Sequence, residues 1–260
     1  MNRIKLVIAY DGTKYHGWQI QPNVITVEGV VNERLSQLLG EKIAVIGASR
    51  TDAGVHAYGN VAVFDTNSKI PPERMAFALN RYLPSDIRIQ SSCKVADDFH
   101  PRHCDSRKTY EYQILNTSIP IPTERLYSYH VYWDLDIDNM KKAAQYLIGE
   151  HDFKSFCSAK TQVEDTVRTI YSLDIVREGN KVILRVCGNG FLYNMVRIIT
   201  GTLLQVGTGY YAPEDVKDML EKKDRRVAGA CAPAHGLRLV KIDYPEEQFQ
   251  KDCSEGVSAE

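Results

Sequence analysis

The chain has 260 residues, 43% of them hydrophobic and 25% charged, with a formal net charge of −1. This composition excludes a disordered or low-complexity chain, and no apolar run is long enough to span a membrane. The charge is unevenly placed: residues 245–260 carry five acidic residues and one lysine, a net −4, which leaves +3 on the body.

Residues 3–10 set Ile4, Leu6 and Ile8 against Lys5 and Val7, the alternation of a strand and not of a signal peptide, so a cytoplasmic location is expected. Residues 26–39 place Val27, Val30, Val31, Leu35, Leu38 and Leu39 on one helical face, with Thr26 as N-cap and Gly40 as stop. Two β-rich runs follow, 42–47 and 60–65, separated by a polar, glycine-containing loop at 49–59. Residues 72–83 read as a helix with proline in its first turn, and 86–91 as a strand. A second cycle begins with a strand at 107–115 and a helix at 137–147, capped by Asp136. Runs at 166–178 and 181–187 flank Gly179-Asn180, a hairpin signal. An apolar helix is expected at 191–206, a short polar one at 213–222, and a last strand at 238–243. Each half has strands around helices, and the hairpin signal implies antiparallel pairing. The divisions expected are 1–105, 106–245 and an acidic, flexible tail at 246–260. The six cysteines, at 93, 104, 157, 187, 231 and 253, include no Cys-x-x-Cys pair, so reduced thiols are expected.

The stretch with most chemistry is Gly47-Ala48-Ser49-Arg50-Thr51-Asp52-Ala53-Gly54-Val55-His56-Ala57. Small residues surround one arginine, one aspartate and one histidine, and leave room for a ligand to approach the backbone. Two readings of Asp52 follow from this alone: a loop residue bonding its own backbone, or a carboxylate held on a rigid scaffold for chemistry. His100, His103 and Cys104 lack a fourth ligand at metal spacing, and His56 and His235 suit bonds to loop backbone. Basic clusters at Arg102-His103, Arg107-Lys108, Lys160, Arg168 and 222–226 could meet phosphates or simply be solvated.

Arg50-Thr51-Asp52-Ala53-Gly54-Val55-His56-Ala57 resembles the signature of the TruA-type tRNA pseudouridine synthases in all eight positions. The resemblance extends over most of the chain. Tyr10-Asp11-Gly12-Thr13 and Tyr15-His16-Gly17-Trp18-Gln19 look like the family's opening strand and loop. Phe99-His100-Pro101-Arg102, Arg107-Lys108-Thr109-Tyr110-Glu111-Tyr112, His151-Asp152-Phe153, Thr166-Val167-Arg168, Gly190-Phe191-Leu192-Tyr193-Asn194-Met195-Val196-Arg197 and Ala232-Pro233-Ala234-His235-Gly236-Leu237 follow in the family's order. Ser49 and Pro101 depart from common family residues, and the tail beyond Tyr244 matches no family motif.

The resemblance implies an isomerase that converts uridine to pseudouridine at positions 38, 39 and 40 of the tRNA anticodon stem-loop. It implies a flipped-out base, tRNA as partner, a homodimer, and no cofactor, metal or membrane. With the element order, it implies an α+β fold of two similar halves on largely antiparallel sheet, of the ferredoxin-like or RNA-recognition type, meeting at a central RNA-binding cleft. Asp52 is then the catalytic aspartate and Arg197 its ion-pair partner. Tyr110 lies against the uracil, Arg50 holds the flipped nucleotide or fills its place, and Leu239 walls the pocket. Arg168 is a further substrate contact. Rival readings are a non-catalytic RNA-binding protein and a nucleoside hydrolase, but the second needs another positioned carboxylate or a metal.

Overall fold

Ten strands and five helices make up the computed structural model, which describes residues 1–158 and 164–245. In chain order they are β1 (Asn2–Tyr10), α1 (Val27–Leu39), β2 (Ile46–Gly47), β3 (His56–Thr66), α2 (Met75–Leu79), β4 (Ile87–Lys94), β5 (Arg107–Asn116), β6 (Tyr129–Val131), α3 (Ile137–Gln145), β7 (Gly149–Asp152), β8 (Val167–Glu178), β9 (Lys181–Gly188), α4 (Met195–Gly207), α5 (Asp215–Lys222) and β10 (Leu237–Asp243). Lys160 and the acidic tail lie outside the described residues. The chain divides into two compact units, Met1–Ser106 with the chain from Leu239 onward, and Arg107–Arg238. The final strand thus returns to the first unit, whereas the sequence division kept it with the second. Both units are α+β and mostly antiparallel.

In the first unit the strand order is β4-β1-β3-β10, with the two residues of β2 against β3. β1 pairs antiparallel with both β3 and β4, and Ile4, Leu6 and Ile8 are all buried. Arg3 and Asp65 face each other across β1 and β3 and form a two-pronged ion pair at 2.8 and 2.7 Å. α1 starts and stops where its caps dictate. The Thr26 side chain accepts from the Gly29 N–H, and Gly40 ends the helix at a φ of 66°.

Two expectations fail here for identifiable reasons. Residues 42–45 form no strand, because α1 takes their amides: Ile43 N–H donates to the Ser36 hydroxyl at 2.9 Å and Val45 N–H to Asn32 Oδ1 at 2.8 Å. The helix expected at 72–83 shrinks to one 3-10 turn and α2, which ends at Asn80, whose side chain bonds both backbone groups of Ile89 (2.9 and 2.8 Å) and ties the helix end to β4.

In the second unit the order is β5-β9-β8-β7, all antiparallel, with β6 parallel to β5. Neither β6 nor β7 is expected from the sequence; each is too short to show a period. The β8–β9 hairpin turns at Gly179, whose φ is 57°. α4 is buried on nearly every side, and Thr200 and Thr202 satisfy their hydroxyls on the carbonyls of Val196 and Ile198 (2.9 and 2.8 Å). It begins four residues later than the periodicity predicts, because Asn194 adopts a left-handed φ of 61°. Cys104, Cys157, Cys187 and Cys231 are free thiols.

Candidate active site

Asp52 lies between β2 and β3, in a segment fixed before and after the carboxylate. Ala48 N–H donates to the Val61 carbonyl at 2.7 Å, which extends the β2–β3 ladder by one residue. The fully buried Asn60 side chain then takes both backbone groups of Ser49, accepting at 3.3 Å and donating at 3.1 Å. Thr51 is buried; its hydroxyl lies 2.7 Å from that of Tyr10, and its carbonyl accepts from Trp18 N–H at 3.0 Å. Beyond Asp52 the chain reverses. Val55 N–H donates to the Asp52 carbonyl at 3.1 Å, and Gly54 supplies the φ of 78° that this turn needs in its third position.

The loop between β1 and α1 braces this turn from outside. Gly17 has a φ of 85°, and a Cβ there would stand 2.6 Å from the Thr51 carbonyl oxygen, so any other residue would push the loop away. Gly12 N–H donates to His56 Nδ1 at 3.0 Å, so His56 accepts a backbone bond at this nitrogen. The segment is also shorter than the sequence suggests, because β3 begins at His56 and not after Gly59. The outcome is a half-exposed Asp52 with its backbone bonded on both sides, next to an exposed Arg50. Leu239, the third expected residue on this unit, is fully buried in β10.

The second unit carries Tyr110, Arg168 and Arg197. Tyr110 stands on β5 opposite Val186, is 7% exposed, and packs nearly perpendicular to the Phe191 ring at 5.2 Å between centroids. Arg168 pairs across strands with His151, and its Nη1 donates to the Asp165 carbonyl at 3.1 Å. Arg197 lies in the first turn of α4. Its Nε donates to the Ala232 carbonyl at 2.7 Å and its Nη1 to Asn194 Oδ1 at 2.8 Å, while Ala232 N–H returns a bond to the Arg197 carbonyl at 3.1 Å. These contacts set the plane of the guanidinium. Nearby, burial pushes the Tyr112 phenol well up, and the Arg197 charge pulls against it.

Sequence reasoning missed the residues that do this holding: Asn60, Thr51, Trp18, Asn194 and Ala232. Thr51, Trp18, Asn194 and Ala232 lie within the quoted motifs, which give them no holding role; Asn60 lies in none of them. Among the described residues no three His, Cys, Asp or Glu side chains converge as metal ligands; His100 and His103 instead stack at 3.9 Å.

The family model described as tRNA pseudouridine synthase matches residues 6–103 and 143–245. Relatives called tRNA pseudouridine synthase A match along nearly their whole length. The one from Thermoanaerobacter sp. (strain X514) is 48% identical over 244 residues, 94% of this chain and 100% of its own. That from Ruminiclostridium cellulolyticum is 49% identical over 245 residues, with the same shares. That from Brevibacillus brevis is 48% identical over 244 residues, again 94% and 100%. A solved archaeal box H/ACA Nop10–Cbf5 complex aligns over 91% of this chain and 45% of the other at 13% identity, but its TM-score of 0.35 is too low to carry an argument. By the family model and by these identities, the chain belongs to the TruA family of tRNA pseudouridine synthases, isomerases that convert uridine to pseudouridine in tRNA.

Proposed function

We propose that the chain acts at positions 38, 39 and 40 of the tRNA anticodon stem-loop, as a cytoplasmic homodimer, with Asp52 as its catalytic carboxylate. The observation that carries this is the complete eight-residue signature at 50–57, held on both sides of Asp52 by backbone and side-chain bonds, in a chain of this family. The reaction breaks the bond between uracil N1 and ribose C1′, turns the base, and joins C5 to C1′. No atom is gained or lost, so side chains suffice and no cofactor enters the scheme.

Asp52 serves either by attack on C1′ or by removal of a C2′ proton; both need an ionised carboxylate in a partly dry site. Arg197 is assigned as its counter-charge, because guanidinium stays charged when desolvated and here is already oriented by Ala232 and Asn194. Tyr110 offers a ring for the uracil and a hydroxyl able to move the C5 proton. The base must leave the stem to reach Asp52, and Arg50 is assigned to hold the turned-out nucleotide or fill the gap it leaves. Leu239 is assigned to the apolar wall. Arg168 is assigned as a further contact to the RNA, with its Nη1 bonded to the Asp165 carbonyl. Dimerisation is supported by charge: a body of +3 meets few phosphates alone, and two copies offer a longer basic surface.

Base-specific chemical mapping of pseudouridine in tRNA from cells lacking this protein is the test. Loss at positions 38 to 40, restored by the wild-type gene, is expected; unchanged pseudouridine there would overturn the assignment.

A further inference from the structure

Arg102 holds the catalytic loop from a place where the loop sequence gives no hint of it. Its Nε donates to the Gly47 carbonyl at 2.8 Å, at the root of the segment that carries Asp52. The platform beneath it is firm. Phe99 belongs to a buried cluster with Val63, Cys93 and Val95, the Pro101 carbonyl accepts from the Tyr244 hydroxyl at 2.9 Å, and the His103 N–H closes a turn on the His100 carbonyl at 3.1 Å. Arg102 N–H is itself bonded to His100 Nδ1 at 3.3 Å.

Arg50 stands three residues beyond Gly47 in the segment that Arg102 holds. Burial and the charge of Arg50 push Arg102 below the usual arginine range. Both side chains reach solvent, Arg102 with its Nε end partly buried against Gly47, and neither forms an ion pair among the described residues. Glu28 acts on Arg102 only from beyond ion-pair distance, and its carboxylate accepts from the Ile20 N–H at 3.0 Å. Two like charges held together without a carboxylate between them raise the energy of the free protein, and an anion relieves it.

We infer that Arg50 and Arg102 together bind one backbone phosphate of the RNA beside the target nucleotide, and that Arg102 passes this binding to the Asp52 loop through its bond to the Gly47 carbonyl. The inference rests on the isomerase reading, because it supplies the RNA. A planar guanidinium suits both tasks at once: Nε faces the carbonyl, and the two Nη groups remain for a phosphate. A lysine in its place would keep the charge but could not hold both partners. Arg102 is therefore a positioning residue, and Arg50 and Arg102 share the anion.

The test uses full-length protein and an anticodon stem-loop RNA in which single phosphates are replaced in turn by neutral methylphosphonates. Affinity is read by fluorescence anisotropy and conversion by chemical labelling, so a failure of the isomerase reading (binding without pseudouridine) shows separately. One methylphosphonate next to the target uridine should weaken wild-type binding about tenfold and Arg102→Ala, which keeps only Arg50 on that phosphate, clearly less. The slope of log affinity against log salt should fall by about one in Arg102→Ala. Arg102→Lys should recover the slope but not kcat. If every methylphosphonate costs Arg102→Ala as much as wild type, and the slope is unchanged, the phosphate role is wrong and Arg102 is only a brace.

Discussion

Arg197 occupies the first turn of α4, where the positive end of the helix dipole opposes a cation. Its partners answer that: the Ala232 carbonyl and Asn194 Oδ1 both present negative ends to the guanidinium. Asn194 does this from a φ of 61°, which asparagine and glycine tolerate and most residues do not. Asn194→Gly keeps the backbone and removes the bond. It should melt close to wild type and lose about tenfold in kcat, whereas Asn194→Ala should lose a further ~1–2 kcal/mol of stability. Wild-type kcat in Asn194→Gly, at full tRNA saturation, would count against the role given to Arg197.

A second residue-scale consequence concerns pH. Lys5 is buried, with Val63 and Cys93 as its cross-strand neighbours, and burial pushes its ammonium down to about 8 from 10.5. Its folded pKa lies below its unfolded value, so the unfolded chain binds more protons between these two values and stability rises with pH there. Lys5→Met should therefore be more stable than wild type at pH 7, with the advantage shrinking as pH climbs through 8 toward 10.5. Denaturant titrations at several pH values read this; a constant difference would contradict it.

At the scale of elements, stability and catalysis separate by where a residue sits. Thr26→Ala removes the cap of α1 and should cost about 1 kcal/mol with kcat unchanged. Gly17→Ala should cost both stability and kcat, because the added Cβ meets the Thr51 carbonyl next to Asp52. Thermal melts and single-turnover rates on the two variants would show the split, and equal rates would place the Gly17 loop outside the catalytic support. The same contrast explains what could be read in advance. Caps, glycine stops and long periodic runs act within a few residues, so β1, α1, β5, α3 and the β8–β9 hairpin are legible in the chain. The support of Asp52 is not, because Tyr10 meets Thr51 from 41 residues away and Arg102 meets Gly47 from 55. Residues 42–45 mislead for a related reason: their strand-like composition is spent on hydrogen bonds to side chains of α1.

For the whole molecule, local pattern predicts two α+β halves but not the return of the final strand to the first unit, which is a matter of long-range pairing. The expected site residues divide between the units, with Asp52, Arg50 and Leu239 on the first and Tyr110, Arg168 and Arg197 on the second. Composition alone leaves Asp52 ambiguous between a loop bond and a reactive carboxylate. The braced loop and the family's complete signature are the grounds on which the proposal gives Asp52 the enzyme's chemistry. The most direct measurement is pseudouridine yield in purified tRNA with wild-type protein and with Asp52→Ala, read by base-specific labelling, with RNA binding and a melting curve taken on the same samples. Asp52→Ala should fold, bind tRNA and form no pseudouridine. A full yield from that variant would contradict the account.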